Sequence, residues 1–223
     1  MRKKINRKKI VAIIPIKSNS KRVKKKNFKK IGNKKLYEFL LEKVSKCNFD
    51  EVYVDSDSRE LKNYCKKKNF YFINRKKFLL QDNANGNDLL NYHGSIIDAG
   101  YYFQLFITSP LLSVKSINNC IKILKNNKKI DSILTSKKIY SWFWFKNKPI
   151  NYKPEILPRS QDAQPVVVET TGLYGIKKSS LKKYKCRIGR KPFFYETEDE
   201  EAIDIDSKKD IEYLKYQILK QKK

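Results

Sequence analysis

Between Lys17 and Asn27 the chain reads KSNSKRVKKKN, which places six basic residues, Lys17, Lys21, Arg22, Lys24, Lys25 and Lys26, in eleven positions. The whole chain carries 51 Lys plus Arg in 223 residues, so this stretch more than doubles its own background. A nucleoside triphosphate needs such neutralisation, and the small polar turn Ser18-Asn19-Ser20 can aim backbone N–H groups at phosphate oxygens. A solvated basic loop is the competing reading. The second feature is Asp204-Ile205-Asp206. On a strand, residues two apart share a face, so the carboxylates would converge while Ile203 and Ile205 turn to the core. Converging carboxylates suit Mg²⁺, a hard ion that takes oxygen ligands and keeps phosphate oxygens in its shell. The competing reading makes Asp206 the cap of the last helix.

Both features need a scaffold, and the sequence supplies an alternating one. Lys9 to Ile16 reads KIVAIIPI, a β-branched run suited to a strand buried on both faces. A helix is expected at Leu36 to Val44 and an alternating strand at Glu51 to Asp55. The next helix starts from a cap at Asp57 or Ser58 and turns Leu61, Tyr64 and Cys65 to the sheet. Further strands are expected at Phe70 to Ile73, Tyr102 to Thr108 and Ser132 to Thr135, with helices from a cap at Asp88 to about Asp98 and from Val114 to Leu124. This alternation predicts an α/β, Rossmann-like fold, a mainly parallel sheet with helices on both faces and ligands beyond the carboxyl ends of its strands.

From Ser136 to Pro165 the regularity fails, and Trp142-Phe-Trp-Phe145 with Pro149, Pro154 and Pro158 marks an excursion. Its aromatics could meet a substrate or another subunit. Val166 to Ile176 and Phe193 to Tyr195 then read as strands, and Ser207-Lys-Lys-Asp210 opens a final helix. Length and pattern together make residues 1–223 one domain that includes the 136–165 excursion.

Composition narrows the classes of function. A formal charge of +28 would ordinarily suggest nucleic acid. Here the excess runs from Arg2 to Lys223 instead of gathering on one segment, so nucleic acid is not the expected partner. Cys47, Cys65, Cys120 and Cys186 are far apart with no metal-ligand spacing, which fits a reduced, cytoplasmic protein. His93, the sole histidine, is expected on a helix surface; a His-based metal cluster is excluded and any Ser-His-Asp triad would depend on it. There is no apolar signal core, and no run approaches the ~18 apolar residues of a membrane span.

IIPIKSNSKRVKKKNF, from Ile13 to Phe28, resembles the N-terminal signature of the acylneuraminate cytidylyltransferases, or CMP-sialic acid synthetases, in which Ile-Pro-Ala-Arg-Gly-Gly-Ser-Lys precedes a Lys-Asn pair. The likeness continues in order through VYVDSDSREL from Val52, through Arg75 to Ala84 with its Leu-x-Asp-x-Ala, and through Thr108-Ser109-Pro110-Leu111. It ends on Arg159-Ser-Gln161-Asp162 with Pro165 and Val168-Glu169, and on Asp204-Ile-Asp206. What this resemblance implies is the nucleotide-diphospho-sugar transferase type of fold. It also implies a homodimer that uses CTP, Mg²⁺ and an acidic nine-carbon sugar to make a CMP-sugar and pyrophosphate. Carried over by position, Lys17, Ser20, Lys21, Lys26, Asn27, Arg75, Asp82 and Gly86 would meet the nucleotide. Thr108, Ser109, Arg159, Gln161, Glu169 and Tyr174 would meet the sugar. Asp204 and Asp206 would hold the metal, and with Lys17 and Lys26 would stabilise the charge that spreads in phosphoryl transfer.

The chain departs from the resembled pattern at three places. Lys17 stands for an arginine and lacks its planar fork, and Ser18-Asn19 replaces two glycines. Phe106-Ile107 replaces the Gln-Pro before Thr-Ser-Pro, and Glu169-Thr170-Thr171 replaces Glu-Asn-Gly. The last two fall on the sugar side, so transfer to an eight-carbon keto-deoxy sugar, or from another nucleotide, stays open. A non-catalytic basic nucleic-acid-binding protein is the alternative from another class.

Overall fold

The β-branched run near the amino terminus forms the middle of the sheet. The computed structural model describes residues 9–19 and 25–220. Its main strands are β1 (Ile10–Ile16), β2 (Glu51–Ser56), β3 (Tyr71–Asn74), β4 (Tyr101–Leu105), β5 (Ser132–Ile139), β6 (Val166–Lys177) and β7 (Pro192–Glu196). Helices α1 (Leu36–Val44), α2 (Arg59–Lys68), α3 (Gly86–Ile96), α4 (Val114–Asn126), α5 (Lys178–Tyr184) and α6 (Lys208–Lys220) complete the regular structure. The strands form one sheet in the order β7-β5-β6-β4-β1-β2-β3. Neighbours are parallel except where β6 runs antiparallel to both β4 and β5.

Alternation along β1 explains why its sequence is apolar throughout. Ile10, Ala12, Ile14 and Ile16 enter the core on one face, with Leu40 and Leu41 of α1, Leu61 and Cys65 of α2 and Ile117 and Leu124 of α4. Val11 and Ile13 enter the other, against Leu90 of α3 and Leu181 of α5. A strand covered on both sides has no polar face to display. A third cluster, Ile31, Leu36, Leu111, Ile205, Ile211 and Leu214, seats α6 beside the carboxyl end of the sheet.

Several expectations need correction. β5 continues to Ile139, so the excursion begins at 140 rather than at 136. Helix α3 is capped by Asn85, whose side chain accepts from Asn87 N and Asp88 N, while the Asp88 carboxylate accepts from Asn85 N in return. Asp88 is thus the third residue of a reciprocal capping arrangement and not the cap. Ser58 caps α2, leaving the Asp57 carboxylate free for Ser18. Helix α5 was not expected, because Lys178–Tyr184 is lysine-rich and offers the core little beyond Leu181. Residues 203–206 form no strand, although Ile205 is fully buried. The four cysteines are free thiols. Among the described residues no helix is long and apolar enough to cross a membrane.

The excursion carries a small hairpin, Trp144–Phe145 against Lys148–Pro149. Its two-residue turn, Lys146-Asn147, has φ of 49° and 60°, the doubly left-handed turn that matches strand twist. Trp144, Phe145 and Ile156 are 57%, 63% and 72% exposed, so this arm presents large apolar side chains that the other described residues do not cover.

Candidate active site

The site lies where the rule for α/β sheets puts it, beyond the carboxyl ends of the parallel strands. The loop after β1 leaves the sheet at Lys17 and is tied down at once. Ser18 donates through its backbone N–H (2.8 Å) and its hydroxyl to the Asp57 carboxylate. Asn27 Nδ2 donates to the Lys17 carbonyl at 2.8 Å, closing the loop on itself. Lys17 Nζ lies 3.9 Å from Asp82, so these two expected nucleotide residues are brought together. Ser20 and Lys21 lie outside the described residues.

Lys26 is the side chain that joins the two ends of the sequence. It is buried, and Nζ reaches Asp206 Oδ1 at 2.9 Å and donates to the Ile205 carbonyl. Lysine is almost never buried unless its charge is met, and here the carboxylate meeting it stands 180 positions away. Asp206 is not the helix cap. Ser207 Oγ accepts from Asp210 N, and the Asp210 carboxylate accepts from Asp206 N and Ser207 N, so the capping work falls to those two residues.

Asp204 sits in a different environment. Burial pushes its carboxyl above the ordinary range; the neighbouring Thr108 hydroxyl draws it back, the Asp206 charge raises it further, and Lys26 and the Thr171 hydroxyl oppose that. Its Oδ1 is buried and makes no hydrogen bond of ordinary geometry, and the same holds for Thr171 Oγ1 and Ser109 Oγ. Thr108 is held in place because its carbonyl accepts from Ile205 N at 2.7 Å, which staples the turn after β4 to the Asp-Ile-Asp segment.

Strand β6 shapes the far wall. Its register against β5 shifts between Glu169 and Tyr174, and Thr171 adopts φ 57° within the shift. Such a bulge re-aims side chains next to a site. Gly172 follows at a close approach, where a Cβ would stand 3.1 Å from Ser109 Oγ. Tyr174 is buried and donates its phenol to Glu169 at 2.6 Å; burial, then that bond, raise its pKa.

One expected nucleotide residue and the sole histidine lie elsewhere than open surface. Arg75 is buried, its Nε donating to Asp55 Oδ2 at 3.1 Å and its terminal nitrogen to the Asp55 carbonyl at 3.0 Å. His93 was expected on a helix surface, yet it is fully buried with Nε2 3.0 Å from the same carboxylate oxygen. The apolar spacing of α3 gave no sign that its one histidine would face a carboxylate on β2. On the sugar side, Thr108, Ser109, Glu169 and Tyr174 are brought together, whereas Arg159 and Gln161 are exposed on the excursion, with Arg159 bonded to Asp162.

Sequence reasoning missed Gln104 and Arg187. Gln104 is fully buried and donates to the carbonyl of Gly86 at 3.1 Å. The Arg187 guanidinium lies 3.6 Å from the centre of the Tyr174 ring. Gln104, a polar residue inside the apolar strand YYFQL, was the available signal; Arg187 is hidden among the chain's many basic residues.

A mainly parallel sheet with one antiparallel strand, a basic loop after its first strand and a carboxylate pair before its last helix define an α/β nucleotidyltransferase. The cytidylyltransferase family model matches residues 11–222, and the chain belongs to that family. It is 27% identical over 205 residues to the Helicobacter pylori protein named pseudaminic acid cytidylyltransferase and UDP-2,4-diacetamido-2,4,6-trideoxy-beta-L-altropyranose hydrolase. That match covers 87% of this chain but only 40% of the relative's length. A 3-deoxy-manno-octulosonate cytidylyltransferase of Rickettsia akari is 25% identical over 203 residues, covering 84% of this chain and 78% of that protein.

Among solved structures, CMP:2-keto-3-deoxy-manno-octonic acid synthetase complexed with CTP superposes with a TM-score of 0.73 at 15% identity, over 96% of this chain and 99% of that one. The 4-diphosphocytidyl-2C-methyl-D-erythritol synthase of Anaerococcus prevotii gives 0.68 at 14% identity, over 96% and 98%. At such identities the likeness is one of fold.

Proposed function

We propose that this protein transfers the cytidylyl group of CTP to a hydroxyl of a sialic-acid-like nine-carbon sugar acid, releasing pyrophosphate and giving a CMP-sugar for surface glycans. The observation that carries the reading is the 2.9 Å pair between buried Lys26 and half-exposed Asp206, beside an Asp204 carboxyl whose Oδ1 is covered. It unites the phosphate-suited loop with the Asp204-Ile-Asp206 carboxylates. Family membership supports cytidylyl transfer, and the relatives' sugar acids support the class of acceptor.

The donor set at Asp204 and Asp206 fits Mg²⁺. It is all oxygen, and Asp204 Oδ1 is a buried acceptor without a partner. No group of three or more His, Cys, Asp or Glu side chains suited to a metal occurs among the described residues, so phosphate oxygens would complete the shell. When bound, the ion would supply Lewis-acid stabilisation of charge on the transferring phosphoryl group. The protein's own part is positioning. Lys26 holds a buried positive charge at the junction, Lys17 extends it along the loop, and the bulge of β6 shapes the pocket for the acceptor. His93 is committed to Asp55 and has no surface from which to act as a base.

The decisive measurement is pyrophosphate release from each of the four nucleoside triphosphates with Mg²⁺, against a panel of nine-carbon and eight-carbon sugar acids. Turnover with CTP and a nine-carbon acid is expected. Preference for 3-deoxy-manno-octulosonate would move the acceptor to the eight-carbon class, and no release with any pair would end the enzymatic reading. The exposed arm around Trp144, Phe145 and Ile156 supports a homodimer in the cytoplasm, where CTP is supplied. Analytical ultracentrifugation should give twice the 26.5 kDa chain mass, and a monomer at micromolar concentration would remove the dimer.

A further inference from the structure

Arg187 follows α5 on a loop that α3 fixes at two points. Lys185 ends α5 in the left-handed conformation, φ 53°, and its carbonyl accepts from Asn91 Nδ2 at 2.7 Å. Two residues on, Arg187 N donates to Asn87 Oδ1 at 2.9 Å. The side chain then runs inward. Its guanidinium carbon lies 3.6 Å from the ring centre of Tyr174 and 5.8 Å from that of Phe106, so the cation rests against one ring with the second at its side. Nη1 comes so near Gly86, the first residue of α3, that a Cβ there would meet it at 2.6 Å.

Held this firmly, the guanidinium still makes no ion pair or hydrogen bond with any described residue. Beside it is a second, independent sign of a ligand. Gln104 is fully buried, and while its amide nitrogen is satisfied by the Gly86 carbonyl, its Oε1 has no partner. The same point above Gly86 lies 2.6 Å from Arg187 Nη1 and 3.4 Å from Gln104 Oε1. A donor fork and an orphaned acceptor therefore stand side by side. Unsatisfied buried groups of this kind are rare and call for an explanation.

We propose that Arg187 is the residue that takes the carboxylate of the acidic acceptor, with Gln104 Oε1 accepting from a sugar hydroxyl or amide N–H beside it. The assignment rests on the sugar-acid reading above and deepens it. Arginine, unlike lysine, offers two parallel N–H bonds to a carboxylate while its plane stays stacked on a ring. The phosphates have other cations, because Lys17 and Lys26 stand on the loop after β1. Tyr174 separates the two regions, since it carries Arg187 on its face, is bonded to Glu169 and feels the charge of Asp204. Phe106 is part of the platform, at the position where the resembled family has glutamine.

The test is steady-state pyrophosphate release by the purified full chain with CTP and Mg²⁺, using pseudaminic acid and 3-deoxy-manno-octulosonic acid as acceptors, together with the C1 carboxamide of whichever acid is used. Arg187→Gln should raise KM for the acid by roughly 10- to 100-fold, the loss expected when a charge-assisted hydrogen bond is removed, and leave KM for CTP within about twofold. Arg187→Lys should recover only part of the loss. The wild type should discriminate against the carboxamide, and the glutamine variant should do so far less. An unchanged KM for the acid overturns the assignment, as does a rise confined to KM for CTP, which would make Arg187 a phosphate ligand. Should the glutamine variant fail to fold, the lysine variant carries the same comparison through its own rise in KM. If the wild type releases no pyrophosphate with any acid, the proposed function falls and this assignment with it; an active glutamine variant with wild-type KM sinks the assignment alone.

Discussion

On the β1 side of the crevice the charges are answered within the chain: Lys26 by Asp206, Arg75 and His93 by Asp55, Lys17 at longer range by Asp82, and Ser18 by Asp57. On the β6 side Asp204 Oδ1, Ser109 Oγ, Thr171 Oγ1 and Gln104 Oε1 are buried without partners, and Arg187 is stacked but not paired. The β1 side is not wholly satisfied, since Asp55 Oδ1 and His93 Nδ1 also lack partners. The contrast still teaches how each half is held ready. Paired charges fix the loop and the buried network whether or not a ligand is present. Orphaned polar groups cost the free protein stability that a ligand or an ordered water can return, as is common where function and stability compete.

The largest effect expected from breaking this contrast lies at the seam between the halves. Asp206→Asn and Asp204→Asn should each lower Mg²⁺-dependent turnover by about 10²-fold or more, the scale seen when an electrostatic group is removed from a transition state. Their effects on stability should differ. A carboxyl raised in the folded state binds its proton more tightly folded than unfolded. It therefore costs stability above its folded pKa, and that cost disappears as pH falls through it. Asp204 is such a group. Asp204→Asn should thus stabilise the ligand-free chain by about 1 kcal/mol, or roughly 2–4 °C in the melting midpoint, near neutral pH. The gain should shrink as the solution is acidified. Asp206→Asn should show no gain, because it strips Lys26 of its counter-charge. Calorimetry of both variants across pH decides; a destabilised Asp204→Asn would mean its carboxylate is already satisfied.

A smaller effect, on stability first, is expected in the network of the β1 side. Arg75→Met leaves Asp55 buried with His93 as its only side-chain partner, and breaking a buried pair from one end costs about 3–5 kcal/mol. Urea unfolding measures this directly. If Arg75 instead serves the nucleotide, the variant will fold with near wild-type stability and lose CTP affinity by titration calorimetry. That result would show the two halves to be less different than their hydrogen bonds indicate.

How much of this was legible in the sequence depended on whether a residue's role is local. Strands and helices that show an apolar period were readable, and so were the loop after β1 and the Asp-Ile-Asp, because charge density and spacing are properties of adjacent positions. The sheet partners of β6, its bulge at Thr171 and the turn that meets Gly172 depend on positions far apart in the chain. Helix α5 was missed because lysines mask its period, and the burial of His93 because nothing on α3 announces Asp55 across the sheet. Arg187 shows the limit best. Its identity was plain, but in a chain with 51 basic residues only the fold distinguishes the one stacked on Tyr174.

The smallest effect separates Asp206 from the helix it precedes. The sequence allowed Asp206 to be either a metal ligand or the cap of α6, and the hydrogen bonds give the cap to its neighbours: Ser207 Oγ accepts from Asp210 N at 3.3 Å, and Asp210 accepts from Ser207 N at 2.6 Å. Burial, the largest single influence, would raise the Asp210 carboxyl, but hydrogen bonds from the Asp206 N–H, the Ser207 hydroxyl and the Ser207 N–H hold it below its usual range. Ser207→Ala should therefore cost about 1 kcal/mol, the usual worth of an N-cap hydroxyl, while leaving kcat and both KM values unchanged. A loss of turnover from Ser207→Ala would mean that the last helix and the carboxylate pair act as one unit. The seam between the halves would then extend into the cap.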